Sequence, residues 1–132
     1  MCVQYLTTAN TDWVKTHFDL ELPPSSAHDV FPTYPGMIVL KSHNTQRTAI
    51  GPARFGLIPA WAKDEDFGRK TYNARSETVS EKPSYKNAWS KRHYALALAD
   101  AFYEPCYESG KAVRTKISQA NQEPMAIASI WD

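Results

Sequence analysis

Glycine is scarce in this chain, with five residues in 132, and cysteine is scarcer, with two. Five scattered glycines form no loop able to cradle a phosphate, and no G-x-S-x-G turn is present to expose a serine nucleophile. Cys2 and Cys106 are too few for a disulfide framework, and no C-x-x-C pair suggests zinc or redox work, so both thiols are expected to be free. His17, His28, His43 and His93 show no metal-ligand spacing with one another or with carboxylates. Neither a metal nor any other cofactor is therefore expected. No apolar run is long enough to span a bilayer, and the polar opening MCVQYLTTAN lacks the layout of a signal peptide, which points to a soluble intracellular protein.

Net charge is also small, because 15 Lys/Arg nearly balance 14 Asp/Glu and the formal balance is only +1. Its distribution is uneven. Residues 54–92 carry nine Lys/Arg against five acids, whereas residues 1–53 carry three against four and residues 93–132 three against five. The middle third is the candidate anion-binding surface, and an ordinary solvated face is the competing explanation.

With 132 residues and 42% hydrophobic composition, the chain suits one domain with a real core. No internal repeat or low-complexity tract divides it. CVQYL opens as a strand, and Thr11 is placed to cap a short helix over Asp12–Phe18 with Val14 and Phe18 on one face. The stretch ELPPSSAHDVFPTYPG reads as loop, since its four prolines together with Ser25 and Ser26 oppose regular pairing. MIVLK (37–41), YALALA (94–99), KAVRTKI (111–117) and MAIASIW (125–131) read as strands, and Glu108-Ser109-Gly110-Lys111 as a hairpin turn. Pro83 can start a short helix with Tyr85, Ala88 and Trp89 along its apolar side. The expected class is α+β, a mostly antiparallel sheet flanked by short helices.

Cys2 carries the most chemistry. If Met1 is trimmed, the chain begins with an amine and a thiol on adjacent carbons, a 1,2-aminothiol. The amine can condense with an aldehyde and the thiol can close on the same carbon to give a thiazolidine, which an internal cysteine cannot form. An α-amine titrating at about 7.7–8.0 and a thiol near 8.5 both offer a deprotonated fraction at neutral pH.

Three further islands place polar groups beside aromatic ones: FGLIPAWAKD (55–64), YNARSETV (72–79) and ALADAFYEP (97–105). Asn73 can hydrogen-bond sugar hydroxyls or orient an amine, and is otherwise a turn former. Glu104, after an apolar strand, suits proton transfer, and is otherwise a solvated strand-end carboxylate. Arg75 offers a planar fork for phosphate. Trp61, beside Pro59 in a loop-like part of the basic third, offers a stacking face, while Trp13, Trp89 and Trp131 are assigned to the core.

Together with MCVQY, the Gly56–Trp61, Asn73–Thr78 and Phe102–Glu104 segments occur in an order that resembles the SOS response-associated peptidase (SRAP) family, the abasic-site processing proteins. The resemblance spans nearly the whole chain. It implies a barrel-like curl of the sheet and a Cys2 that attacks the ring-opened aldehyde of an abasic site in single-stranded DNA, with possible autopeptidase removal of Met1. It also implies that Asn73 and Glu104 are active-site residues, that Arg75, Trp61 and Pro32 contact DNA, and that the protein works in the cytoplasm, at the nucleoid if bacterial.

The chain departs from the family pattern in three places. Val3 and Gln4 follow Cys2 where the family usually has Gly-Arg, and Ala101 and Pro105 flank the aromatic-glutamate motif. A later H-x-R-M-P-like segment, which carries the family's catalytic histidine, has no counterpart here, and His93 does not match it. On this reading residues 1–132 form a single SRAP-like domain, the N-terminal portion of the family fold. It would be slow in reaction and prone to self-association through the MAIASIW edge. Two other functions compete: a non-catalytic single-stranded DNA-binding module built on the basic third, and an N-terminal-nucleophile amidohydrolase in which the amine of Cys2 serves as base.

Overall fold

The computed structural model describes residues 2–24 and 27–132. The trimming expected at Met1 and the loop assignment of Ser25 and Ser26 lie outside the described residues. Seven antiparallel strands form one sheet that does not close into a barrel, with few short helices around it.

Strand β1 (Gln4–Thr7) leads through Thr8 and Asn10 into helix α1 (Thr11–Phe18). The helix cap is Asn10, one residue before the expected Thr11, because the Asn10 side chain accepts a hydrogen bond from the Trp13 amide at 3.0 Å. Val14 is fully buried, and Phe18 packs against the cluster of Val14, Leu22, Val39 and Leu98. The proline-rich stretch is not all loop. Asp29–Val30 form β2, which pairs with Tyr5 and Leu6, and β3 (Pro35–Lys41) begins at a proline. A strand's first residue tolerates the missing N–H.

Strand β4 (Thr48–Arg54) hairpins back on β3 through seven residue pairs. Its sequence, TAIGPAR, contains Gly51 and Pro52 and carries no strong strand signal. Pairing with β3 imposes the extended conformation there. Residues 55–93 are mostly irregular, with a 3-10 helix at Glu65–Lys70 and helix α2 at Lys86–Ser90. Turns fill the space between Pro83 and α2, so the helix starts later than expected. Its apolar side holds Tyr85 and Ala88 buried, but Trp89 is 40% exposed, which corrects its assignment to the core.

The organising element is β5 (Tyr94–Cys106), thirteen residues that pair with four other strands. Its first half meets β3 and β7 (Met125–Ile130), and its second half meets β1 and β6 (Val113–Ile117). Leu98, Ala99 and Ala101 are fully buried at the midpoint. Small alanines let neighbouring layers approach there, consistent with dense packing of protein interiors. The expected turn at 108–111 is present, with Gly110 at φ +80 and its amide bonded to the Tyr107 carbonyl.

Candidate active site

Cys2 sits immediately before β1, half-buried beside Tyr5, Phe55 and Phe102. Its Sγ donates to the backbone carbonyl of Gln4 at 3.2 Å. Burial pushes the thiol above its ordinary titration range and the charge of Glu104 adds to that rise, while backbone hydrogen bonds from the Gln4 and Tyr103 positions act the other way. The thiol form is therefore favoured at neutral pH.

Asn73 reaches the same point from the middle of the chain. Its Nδ2 donates to the backbone carbonyl of Cys2 at 3.0 Å. The Asn73 carbonyl in turn accepts from the Tyr85 hydroxyl at 2.9 Å, and Tyr85 is itself buried, so the loop carrying Asn73 is anchored beneath α2. Tyr85 therefore positions the asparagine. Nothing in its sequence context separated it from the apolar side of a helix.

Glu104 is not beyond a strand end but inside β5, paired with Thr115, and it is half-buried. Pairing of Gln4 with Tyr103 and Tyr5 with Phe102 brings this part of β5 against the N-terminus. Cys2, Asn73 and Glu104 thus belong to one locality, joined by a hydrogen bond and by the effect of the glutamate's charge on the thiol.

A cavity of about 740 Å³ opens beside Cys2, with Tyr5, Phe55, Tyr72, Asn73 and Tyr85 in its wall. Its surface is largely apolar, and burial pushes the Tyr5 hydroxyl up to about 12, which keeps it protonated. Gly36 lies under that hydroxyl, and a Cβ at position 36 would collide with it. A bare backbone at Gly36 is what admits Tyr5.

The expected DNA-contact residues lie outside the wall of this cavity. Trp61 is 56% exposed and meets Phe67 edge-on with ring centroids 5.1 Å apart. Its loop is fixed by Gly56, which has φ +111 and lies so close to the Gly68 carbonyl that any Cβ would clash. Arg75 is exposed on a turn whose carbonyl accepts from the Val79 amide. Pro32 is half-buried between Phe31 and Tyr34, two exposed aromatics in edge contact at 5.8 Å that the sequence did not single out. Two cations of the basic third are neutralised locally, Arg54 by Glu65 at 2.9 Å and Arg69 by Asp66 at 3.3 Å.

Among the described residues no group of three metal-ligating side chains is assembled, and no helix is long and apolar enough to cross a membrane. Trp13 and Trp131 are partly buried, Trp131 stacking on His93 with centroids 4.2 Å apart.

The chain is 38% identical over 108 residues to the abasic site processing protein YoqW of Bacillus subtilis (strain 168), a match covering 79% of this chain and 47% of that protein. It is 37% identical over 68 residues to the abasic site processing protein HMCES of Pongo abelii, covering 49% of this chain and 19% of the relative. It thus spans about half the length of its Bacillus relative. Among solved structures, an X-ray crystal structure of a protein from Bordetella bronchiseptica superposes with a TM-score of 0.80 at 33% identity, covering 99% of this chain and 64% of the other. The family model for the SOS response associated peptidase (SRAP) matches residues 1–132, and the chain belongs to that family.

Proposed function

We propose that this protein marks abasic sites in single-stranded DNA by forming a covalent adduct through Cys2. The observation that carries the reading is the convergence of Asn73 and Glu104 on Cys2, the residue that removal of Met1 would turn into a 1,2-aminothiol.

The chemistry balances as a condensation. Hydrolysis of the Met1–Cys2 peptide bond consumes one water and frees the α-amine. The amine adds to C1′ of the ring-opened sugar, and loss of water gives an imine. The sulfur then bonds to that carbon as the thiol proton passes to nitrogen, closing the thiazolidine. Glu104 is suited to move protons during carbinolamine breakdown. Asn73 holds the Cys2 peptide so that amine and thiol face one direction. Arg75, Trp61 and Pro32 serve strand engagement, the first by a phosphate fork and the others by surfaces on which an unpaired base can lie. The reaction needs no cofactor, and we place it in the cytoplasm, at the nucleoid if the source is bacterial.

Incubation with a single strand containing one abasic site should yield a denaturation-resistant adduct one DNA chain heavier than the protein. Cys2→Ser should abolish it, because the oxygen analogue closes its ring poorly. An undiminished adduct in Cys2→Ser, or one that depends on Cys106, would refute the reading. Affinity for a single strand indifferent to the lesion, with no adduct, would favour a plain binding module, and cleavage of an amide substrate would favour an amidohydrolase.

A further inference from the structure

Gln4 directly follows the reactive end of the chain, and its side chain is almost completely buried at 3% exposure. Both ends of its amide are used. Nε2 donates to Asp29 Oδ1 at 2.7 Å, while Oε1 accepts from Arg114 Nε at 2.9 Å and also from Arg114 Nη2. The Arg114 guanidinium lies 4.0 Å from the centre of the Tyr103 ring. Tyr103 is the cross-strand partner of Gln4 and also of Lys116, so Gln4, Tyr103, Arg114 and Lys116 share one face of β1, β5 and β6.

This arrangement fixes a cation without pairing it directly to an acid, since Asp29 is held at the far end of the Gln4 amide. A guanidinium carries five N–H donors, and the Gln4 carbonyl occupies two of them. Among the described residues Arg114 forms no ion pair, its hydrogen-bond acceptor is a neutral amide, and the residue is exposed. The ring beneath and the amide beside it remove most of the rotamer freedom that a surface arginine loses on binding an anion. Cys2 packs with Tyr5 and Phe102 on the other face of β1 and β5, so a DNA strand that reaches both Cys2 and the fixed charge would pass around the N-terminal end of β1.

We propose that Arg114, held by Gln4 and Tyr103, is a phosphate-binding residue for the DNA strand whose abasic sugar reaches Cys2. This inference rests on the strand-binding part of the function proposed above. Lys116, two residues along the same face, extends the positive surface in the direction of β6. Neither residue stands out in the sequence, since residues 93–132 are net acidic.

The test measures affinity for an unmodified single strand as a function of salt, beside adduct formation with the abasic strand. Arg114→Gln should bind about tenfold more weakly at low salt, and its slope of log affinity against log salt should fall by about 0.7, the value for one lost single-strand phosphate contact. Arg114→Lys should recover the slope while losing the fork. Arg47→Ala, in the β3–β4 turn, removes one charge elsewhere and should leave the slope unchanged. An unaltered slope in Arg114→Gln, or an equal loss in Arg47→Ala, overturns the proposal. Normal single-strand binding with the predicted Arg114 effect but no adduct would refute the Cys2 chemistry alone, whereas a normal adduct with no Arg114 effect would refute this inference alone.

Discussion

Asn73 donates its side-chain amide to the Cys2 backbone carbonyl at 3.0 Å, across 71 residues of sequence. That bond ties Cys2 to the loop under α2 and gives the asparagine a positional role that a turn former would not have. Asn73→Ala should slow adduct formation by roughly 2- to 10-fold, the equivalent of one ordinary hydrogen bond, with the fold retained. Single-turnover crosslinking at saturating DNA checks this. A larger change in melting temperature than in rate would place the bond in folding alone.

Burial raises the Cys2 thiol's titration, and the charge of Glu104 adds to the rise. Removing that charge should therefore move the thiol down. Alkylation of Cys2 by iodoacetamide, followed against pH, should reach half its plateau at lower pH in Glu104→Gln than in the parent. The sign follows because a nearby negative charge disfavours the thiolate. Crosslinking should move the other way, slower by about 10²–10⁴-fold at any one pH if the carboxyl transfers protons.

Trp61 is over half exposed and touches Phe67 edge-on. Trp61→Ala should cost about 1–3 kcal/mol of single-strand affinity if a base stacks there, while altering thermal stability little. Arg75→Ala should lower the salt slope by about 0.7. Unchanged affinity with lost stability would assign Trp61 to packing.

Strand β7 pairs with β5 on one side, and among the described residues no strand pairs with its other edge. Concentration-dependent self-association is expected by light scattering. Ala126→Lys, at an exposed position of β7, should reduce it, since an edge lysine opposes strand addition. Equal association in the variant would exclude this edge.

Much of the sheet was readable from short-range pattern. MIVLK, YALALA and MAIASIW are apolar runs of strand length, and helix α1 carries its own cap and apolar face. Strand β4 was not readable, because TAIGPAR owes its extension to β3 rather than to its own propensities. The length of β5 was underestimated for a related reason. Its second half, AFYEPC, contains glutamate and proline, which read as a strand end until β1 and β6 pair with it.

The sequence alone identified the chemistry that Cys2 could perform, because an aminothiol depends only on being second in the chain, and the order of its motifs placed it in a family. It could not say that Asn73 would bond to Cys2, that Glu104 would raise the thiol, that Tyr85 would hold the asparagine, or that Gln4 would fix Arg114. Each of those relationships joins residues far apart in the chain, and side-chain direction at each depends on strand register and loop anchoring. Only tertiary structure supplies those, since a one-residue slip of β1 on β5 would exchange the faces on which Gln4 and Tyr5 lie.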